Sequence, residues 1–133
     1  MNRHCLNGKK IAEYLANHPK VGKVYWPGFT DHPNHAIAKK QMTDFGGMLS
    51  FTLKNDNLAN ATKLMESVEL FSLAESLGGV ESLINHPASM THASIPKEER
   101  IKNGLSDSLI RLSIGVEDVE DLMADLNQAL EKV

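Results

Sequence analysis

The chain has one cysteine, Cys5, in 133 residues, so no internal disulfide can form and the count fits a reducing compartment. It has no long apolar run: the uninterrupted hydrophobic stretches are a few residues each, far below the roughly 20 that cross a bilayer. Nothing at the amino end has the pattern of a secretory signal, and a cytoplasmic, membrane-free location is expected. Basic side chains are also scarce, with three arginines and a net charge of −3, which leaves no electrostatic reason to expect nucleic acid as a partner. The six histidines do not make up for the missing cysteines as metal ligands. His32 and His35 lie three apart beside Pro33, His86 and His92 lie six apart across Pro87, and no helix presents two at i and i+4, so no metal is expected. Nothing near Cys5 marks a base that would make it a nucleophile.

What is present suits a single domain, 1–133, large enough to bury roughly two thirds of its unfolded surface without a metal or a disulfide. Ile11, Tyr14 and Leu15, with Leu6 at the margin, define one side of a first helix that stops at Asn17-His18-Pro19; a helix starting at residue 1 suggests a cut chain. Val21–Trp26 is rich in β-branched and aromatic residues and reads as a strand, and a short helix is expected after Pro33 up to Met42. Leu49, Phe51 and Leu53 alternate with polar residues, the period of a half-buried strand. A helix from Asn57 to Val68 and an apolar strand at Leu70–Leu73 follow. Between Ser76 and Asn103 the glycines and prolines predict loops and short helices. Alternation returns at Leu109–Ile114, with Arg111 on the face away from the core. The final helix carries the stripe Val119, Leu122, Met123, Leu126, Leu130 and Val133, with acidic residues at its dipole-favoured amino end. The expected fold is α+β, a mostly antiparallel sheet with helices on one face.

A mid-strand arginine offers a planar fork that can hold a carboxylate through two parallel bonds, although an ordinary solvated arginine fits the pattern as well. Ser76-Leu77-Gly78-Gly79 sets a hydroxyl beside two glycines, where backbone can approach a ligand closely or simply turn. Glu75 has two readings, a cap or a contact to a substrate amine, and Thr91 and His92 lie in the same irregular stretch.

Three segments taken together are more specific: Leu73-Ala74-Glu75-Ser76-Leu77-Gly78-Gly79-Val80-Glu81-Ser82-Leu83, His86-Pro87-Ala88-Ser89-Met90-Thr91-His92, and Leu109-Ile110-Arg111-Leu112-Ser113-Ile114-Gly115-Val116-Glu117-Asp118. In order and spacing they resemble the cystathionine γ-synthase and γ-lyase family of pyridoxal-phosphate enzymes, and the resemblance runs from Met1 through Leu130. It implies the small carboxy-terminal domain of a fold-type I enzyme of transsulfuration, usually a homotetramer, in which a larger cofactor domain precedes this one. By the same resemblance Arg111 would bind the substrate α-carboxylate. Ser76 would lie beside the Schiff-base lysine with Leu77 adjacent, Thr91 would support the pocket, and Glu75 would face the distal part of the substrate.

The glutamate at position 75 resembles γ-synthases and γ-lyases, which act on cystathionine or O-activated homoserine by γ-elimination or γ-replacement. The family's Ser-x-Thr-Lys motif is not found, so no catalytic residue is expected in this chain, the lysine is expected upstream, and the chain alone is expected to be inactive and to bind no cofactor. The other reading is a stand-alone binding or self-association module derived from that domain.

Overall fold

A computed structural model describes all 133 residues. Five helices and five strands follow one another as α1 (Asn2–Ala16), β1 (Val21–Tyr25), α2 (His35–Gln41), β2 (Met48–Leu53), α3 (Leu58–Ser67), β3 (Ser72–Leu73), β4 (Leu83–Asn85), α4 (Lys97–Lys102), β5 (Ile110–Ser113) and α5 (Val119–Glu131). The strands form one sheet in the order β1-β2-β5-β4-β3. Three of its four ladders are antiparallel and the edge pair β3–β4 is parallel, so the sheet is a mixed one in which antiparallel pairing predominates.

One face of the sheet holds the core. Leu49, Phe51 and Leu53 of β2, Ile84 of β4, and Ile110 and Leu112 of β5 join Ile11, Ala12 and Leu15 of α1, Leu64 of α3, and Leu122, Leu126 and Leu130 of α5 in a single cluster. α5 packs against both α1 and α3, which makes it the middle of the helical layer. Its start is fixed by Asp118, whose side chain accepts from Glu120 N at 2.9 Å, with Glu120 and Asp121 in the first turn. Asn57 caps α3 in the same way through Asn60 N.

Several local expectations change. Leu6 is exposed, and α1 instead buries Gly8 against the chain at Gly46-Gly47 and Asn7 against the carbonyls of Gly115 and Glu117. The apolar run at Leu70–Leu73 shrinks to a two-residue edge strand with Leu70 and Leu73 exposed, since this edge has no helix to bury them and only Phe71 turns into the core. Leu83–Asn85, where the surrounding glycines and prolines predict loop, is a fully buried strand between β5 and β3.

Candidate functional site

The sheet face opposite α1, α3 and α5 carries the strand residue that the sequence singled out, Arg111. In the ladders, Arg111 stands opposite Ser50 of β2 on one side and Asn85 of β4 on the other, so the three form a polar row across the middle of that face. Met48, Ser113 and Leu83 form the next row. This face is less solvated than alternation alone suggested: Leu109 and Ser113, on the side of Arg111, are 8% and 3% exposed.

The cover is the segment after β3. Gly78 N donates to Ser113 Oγ at 2.7 Å, and Arg111 Nη2 donates to the carbonyls of Glu75 at 2.9 Å and Ser76 at 3.4 Å. Gly78 has φ +77°, a conformation that only glycine adopts without strain, and it makes the turn that brings its amide down onto β5. Behind the turn, Glu117 accepts from Ser82 N and Ser82 Oγ, at 2.6 and 2.9 Å, while Ser82 Oγ accepts from Gly115 N at 2.8 Å. The segment is thus fastened at one end to the strand that carries Arg111 and at the other to the chain just beyond it.

Arg111, Glu75 and Ser76 are therefore brought together through main-chain carbonyls, and the Glu75, Ser76 and Leu77 side chains remain exposed. Thr91 is exposed too. Its hydroxyl is 2.8 Å from Nδ1 of His92, and no hydrogen bond joins it to Arg111. The turn leading to Thr91 is held by His86, fully buried, with Nε2 2.9 Å from Asp107 O and Nδ1 2.7 Å from Ser89 Oγ. Donation from Nε2 to the carbonyl leaves Nδ1 free to accept from Ser89 N at 3.2 Å.

Arg111 differs from the other two arginines in one respect. Arg3 lies 3.9 Å from Asp118 and Arg100 lies 3.8 Å from Asp107, whereas Arg111, half-buried, has no acidic side chain within ion-pair distance. A guanidinium on a partly desolvated polar face with no counter-ion of its own is suited to an incoming carboxylate.

Sequence reasoning missed three contributors. Ser113 was legible as the residue two beyond Arg111 on the same face, but not as the anchor of Gly78. Asn85 lay in a stretch read as loop. Asp125, on the last helix, is 5% exposed and accepts from the backbone amides of Glu69, Leu70 and Phe71, at 2.8, 2.8 and 3.2 Å, which fixes the chain just before β3.

Comparison with known proteins identifies the family. The family model for the Cys/Met metabolism PLP-dependent enzymes matches residues 1–131. The chain belongs to this family. It is 58% identical over 130 residues to a cystathionine β-lyase of Coxiella burnetii, covering 98% of this chain and 33% of that protein. It is 56% identical over 133 residues to an L-methionine γ-lyase of Fusobacterium nucleatum subsp. polymorphum, covering 100% of this chain and 33% of that one. A cystathionine γ-lyase of Dictyostelium discoideum is 52% identical over 132 residues, 99% of this chain and 34% of that protein. The crystal structure of cystathionine γ-lyase from Lactobacillus plantarum complexed with L-serine superposes with a TM-score of 0.91 at 48% identity, over 98% of this chain and 34% of that one.

The chain thus spans about a third of the length of the curated relatives it matches. These three relatives, named for three different lyase activities, lie within a few per cent of one another in identity, so overall likeness does not single out the γ-chemistry expected from Glu75.

At the site described above, the residues do not supply the lysine that a pyridoxal-phosphate cofactor requires. Such a cofactor needs a lysine amine and an acid for its ring nitrogen brought together in one pocket. All eleven lysines here are exposed, and none bonds to Glu75, Ser76, Leu77, Thr91 or Arg111.

Proposed function

We propose that this chain is the carboxy-terminal, substrate-side domain of a pyridoxal-phosphate-dependent transsulfuration enzyme, and that its task is to bind and orient the amino-acid substrate. The observation that carries the reading is Arg111, half-buried on the polar sheet face, held by two main-chain carbonyls and without an acid of its own. In this reading Arg111 receives the substrate α-carboxylate in a bidentate pair, which turns a free encounter into a positioned one. Ser76 and Leu77 border the lysine that carries the cofactor, Thr91 supports the pocket wall, and Glu75 faces the distal end of the substrate. The cofactor supplies the electron sink, and that lysine belongs to the domain that precedes this one.

The substrate class is cystathionine or O-activated homoserine, with cleavage or replacement at the γ carbon. That choice rests on Glu75 alone. Substitution of Glu75 by glutamine in the intact enzyme is expected to lower kcat/KM for L-cystathionine more than for L-methionine, whose distal end carries no second amino group. Equal losses would favour the methionine-cleaving reading.

The central test is Arg111→Ala in the intact enzyme. Loss of the charged bidentate contact should cost about 3 kcal/mol, or roughly 10²-fold in kcat/KM. An unchanged kcat/KM would remove the assignment.

A second reading has one observation in its favour. Leu73, Leu77 and Val80, at 55%, 53% and 68% exposure, lie along the segment beside the site, and Val116, which bonds Val80 O at 2.9 Å, is 41% exposed. Apolar surface of this kind is ordinarily covered by a partner. The preceding domain and identical subunits of a homotetramer are the partners we assign to it in a cytoplasmic enzyme; a self-associating module would use the same surface.

A further inference from the structure

Asn85 sits directly opposite Arg111 in the β4–β5 ladder, on the same face of the sheet. Cβ atoms so placed are about 4.5–5.5 Å apart, within reach for side chains of this size. The Asn85 amide is 1% exposed, yet it is poorly satisfied by the fold. Nδ2 points at the thioether of Met90 at 3.3 Å, a weak acceptor, and Oδ1 has no hydrogen-bond donor. Exchanging the two ends of the amide does not help, because one end still meets sulfur and the other meets nothing.

A buried amide left in this condition destabilises a protein, and an apolar residue of similar volume would avoid the cost. The fold therefore gives no reason for asparagine here. Across the ladder both hydrogen bonds of Arg111 leave from Nη2, so Nε and Nη1 have no acceptor within the protein and are free to take one.

We infer that Asn85 is a positioning residue for Arg111. Its Oδ1 accepts from the guanidinium when the fork turns to meet a carboxylate and fixes the plane in which the two parallel bonds form. The carbonyls of Glu75 and Ser76 hold one nitrogen before the ligand arrives, and Asn85 takes the opposite edge as the fork turns, which limits the orientations left to the bound arginine. The inference rests on Arg111 being the carboxylate site.

The test uses the intact enzyme, with L-serine and its α-carboxamide as probes and the Kd of each read from the change in cofactor absorbance. Arg111→Ala should weaken L-serine about 10²-fold and the carboxamide little, which tests the parent reading separately. Asn85→Leu should weaken L-serine about tenfold, leave the carboxamide within about twofold, and add nothing in the Arg111→Ala background, while Asn85→Gln should regain most of the loss. Asn85→Ala provides the same comparison if leucine disturbs the packing. Normal behaviour of Arg111→Ala with unchanged L-serine affinity in Asn85→Leu overturns the role of Asn85 alone, as does an equal loss for both probes. An Arg111→Ala enzyme that still prefers L-serine to the carboxamide overturns both.

Discussion

Asp125 carries more of the fold than its place on a surface helix suggests. Its carboxylate takes three backbone amides of the chain entering β3, so Asp125→Ala would leave buried donors without an acceptor. The expected loss is about 3 kcal/mol, seen as a lower urea midpoint at unchanged m, with Asp125→Asn near half of that because one oxygen remains.

Tyr14 gives the fold a dependence on alkaline pH. Its hydroxyl donates to Asn127 Oδ1 at 2.9 Å, and burial first, then the nearby Glu131 charge, raises its pKa above the usual 10.0. The unfolded chain ionises this phenol first. Its contribution is therefore complete below pH 10.0 and is lost as pH rises from there through the raised folded value. Tyr14→Phe should flatten the decline in thermal midpoint over that range, and an identical decline in the variant would exclude Tyr14 as its source.

At this scale the alternation of β5 was enough to put Arg111 on the face away from the core, because neighbours on a strand must point oppositely. Asn85 and Asp125 were not legible in the same way. Their importance lies in which backbone or side chain stands opposite them, and pairing across strands is not written in a local pattern.

Among the elements, α1 offers the sharpest test of packing against propensity. Gly8 lies inside a helix, where alanine is ordinarily preferred by about 1 kcal/mol. A Cβ at Gly8 would lie 2.6 Å from Gly46 O and 2.9 Å from Gly47 Cα, and backbone cannot rotate away as a side chain can. Gly8→Ala should therefore destabilise by about 2 kcal/mol, against its propensity, in denaturant titration.

Long periodic elements were readable. The stripe of α5 and the alternation of β2 each repeat over enough residues for the period to be unambiguous. β4 has three residues between a glycine-rich turn and His86-Pro87, too few for a period, and β3 has two. Both exist because a neighbouring strand supplies their hydrogen bonds, so tertiary pairing defines them.

For the molecule as a whole, the proposed division of labour predicts that the separate 133-residue chain, incubated with pyridoxal phosphate and desalted, keeps no chromophore and shows no single modified lysine after borohydride treatment and mass mapping. Stoichiometric labelling of one lysine would mean that the cofactor site had been assigned to the wrong part of the enzyme. The exposed residues Leu73, Leu77, Val80 and Val116 lead us to expect concentration-dependent self-association of this chain in sedimentation velocity. A monomer at all concentrations would argue that they are covered only by the preceding domain.

The parallel edge pair has a further consequence, for motion. β3 pairs with the sheet on one side only, through bonds that include Ser72 N to Ser82 O and Ala74 N to Ile84 O, both near 3 Å, and it has no neighbour on its outer side. Such an edge can peel away while the rest of the sheet stays intact, at a fraction of the free energy of global unfolding. The Ser72 and Ala74 amides should exchange with deuterium well before those of Phe51 and Leu112. Because the peeling strand leads straight into Glu75 and Ser76, whose carbonyls hold Arg111, a ligand seated there would slow that exchange, and protection at two edge amides would report occupancy of a site several residues away.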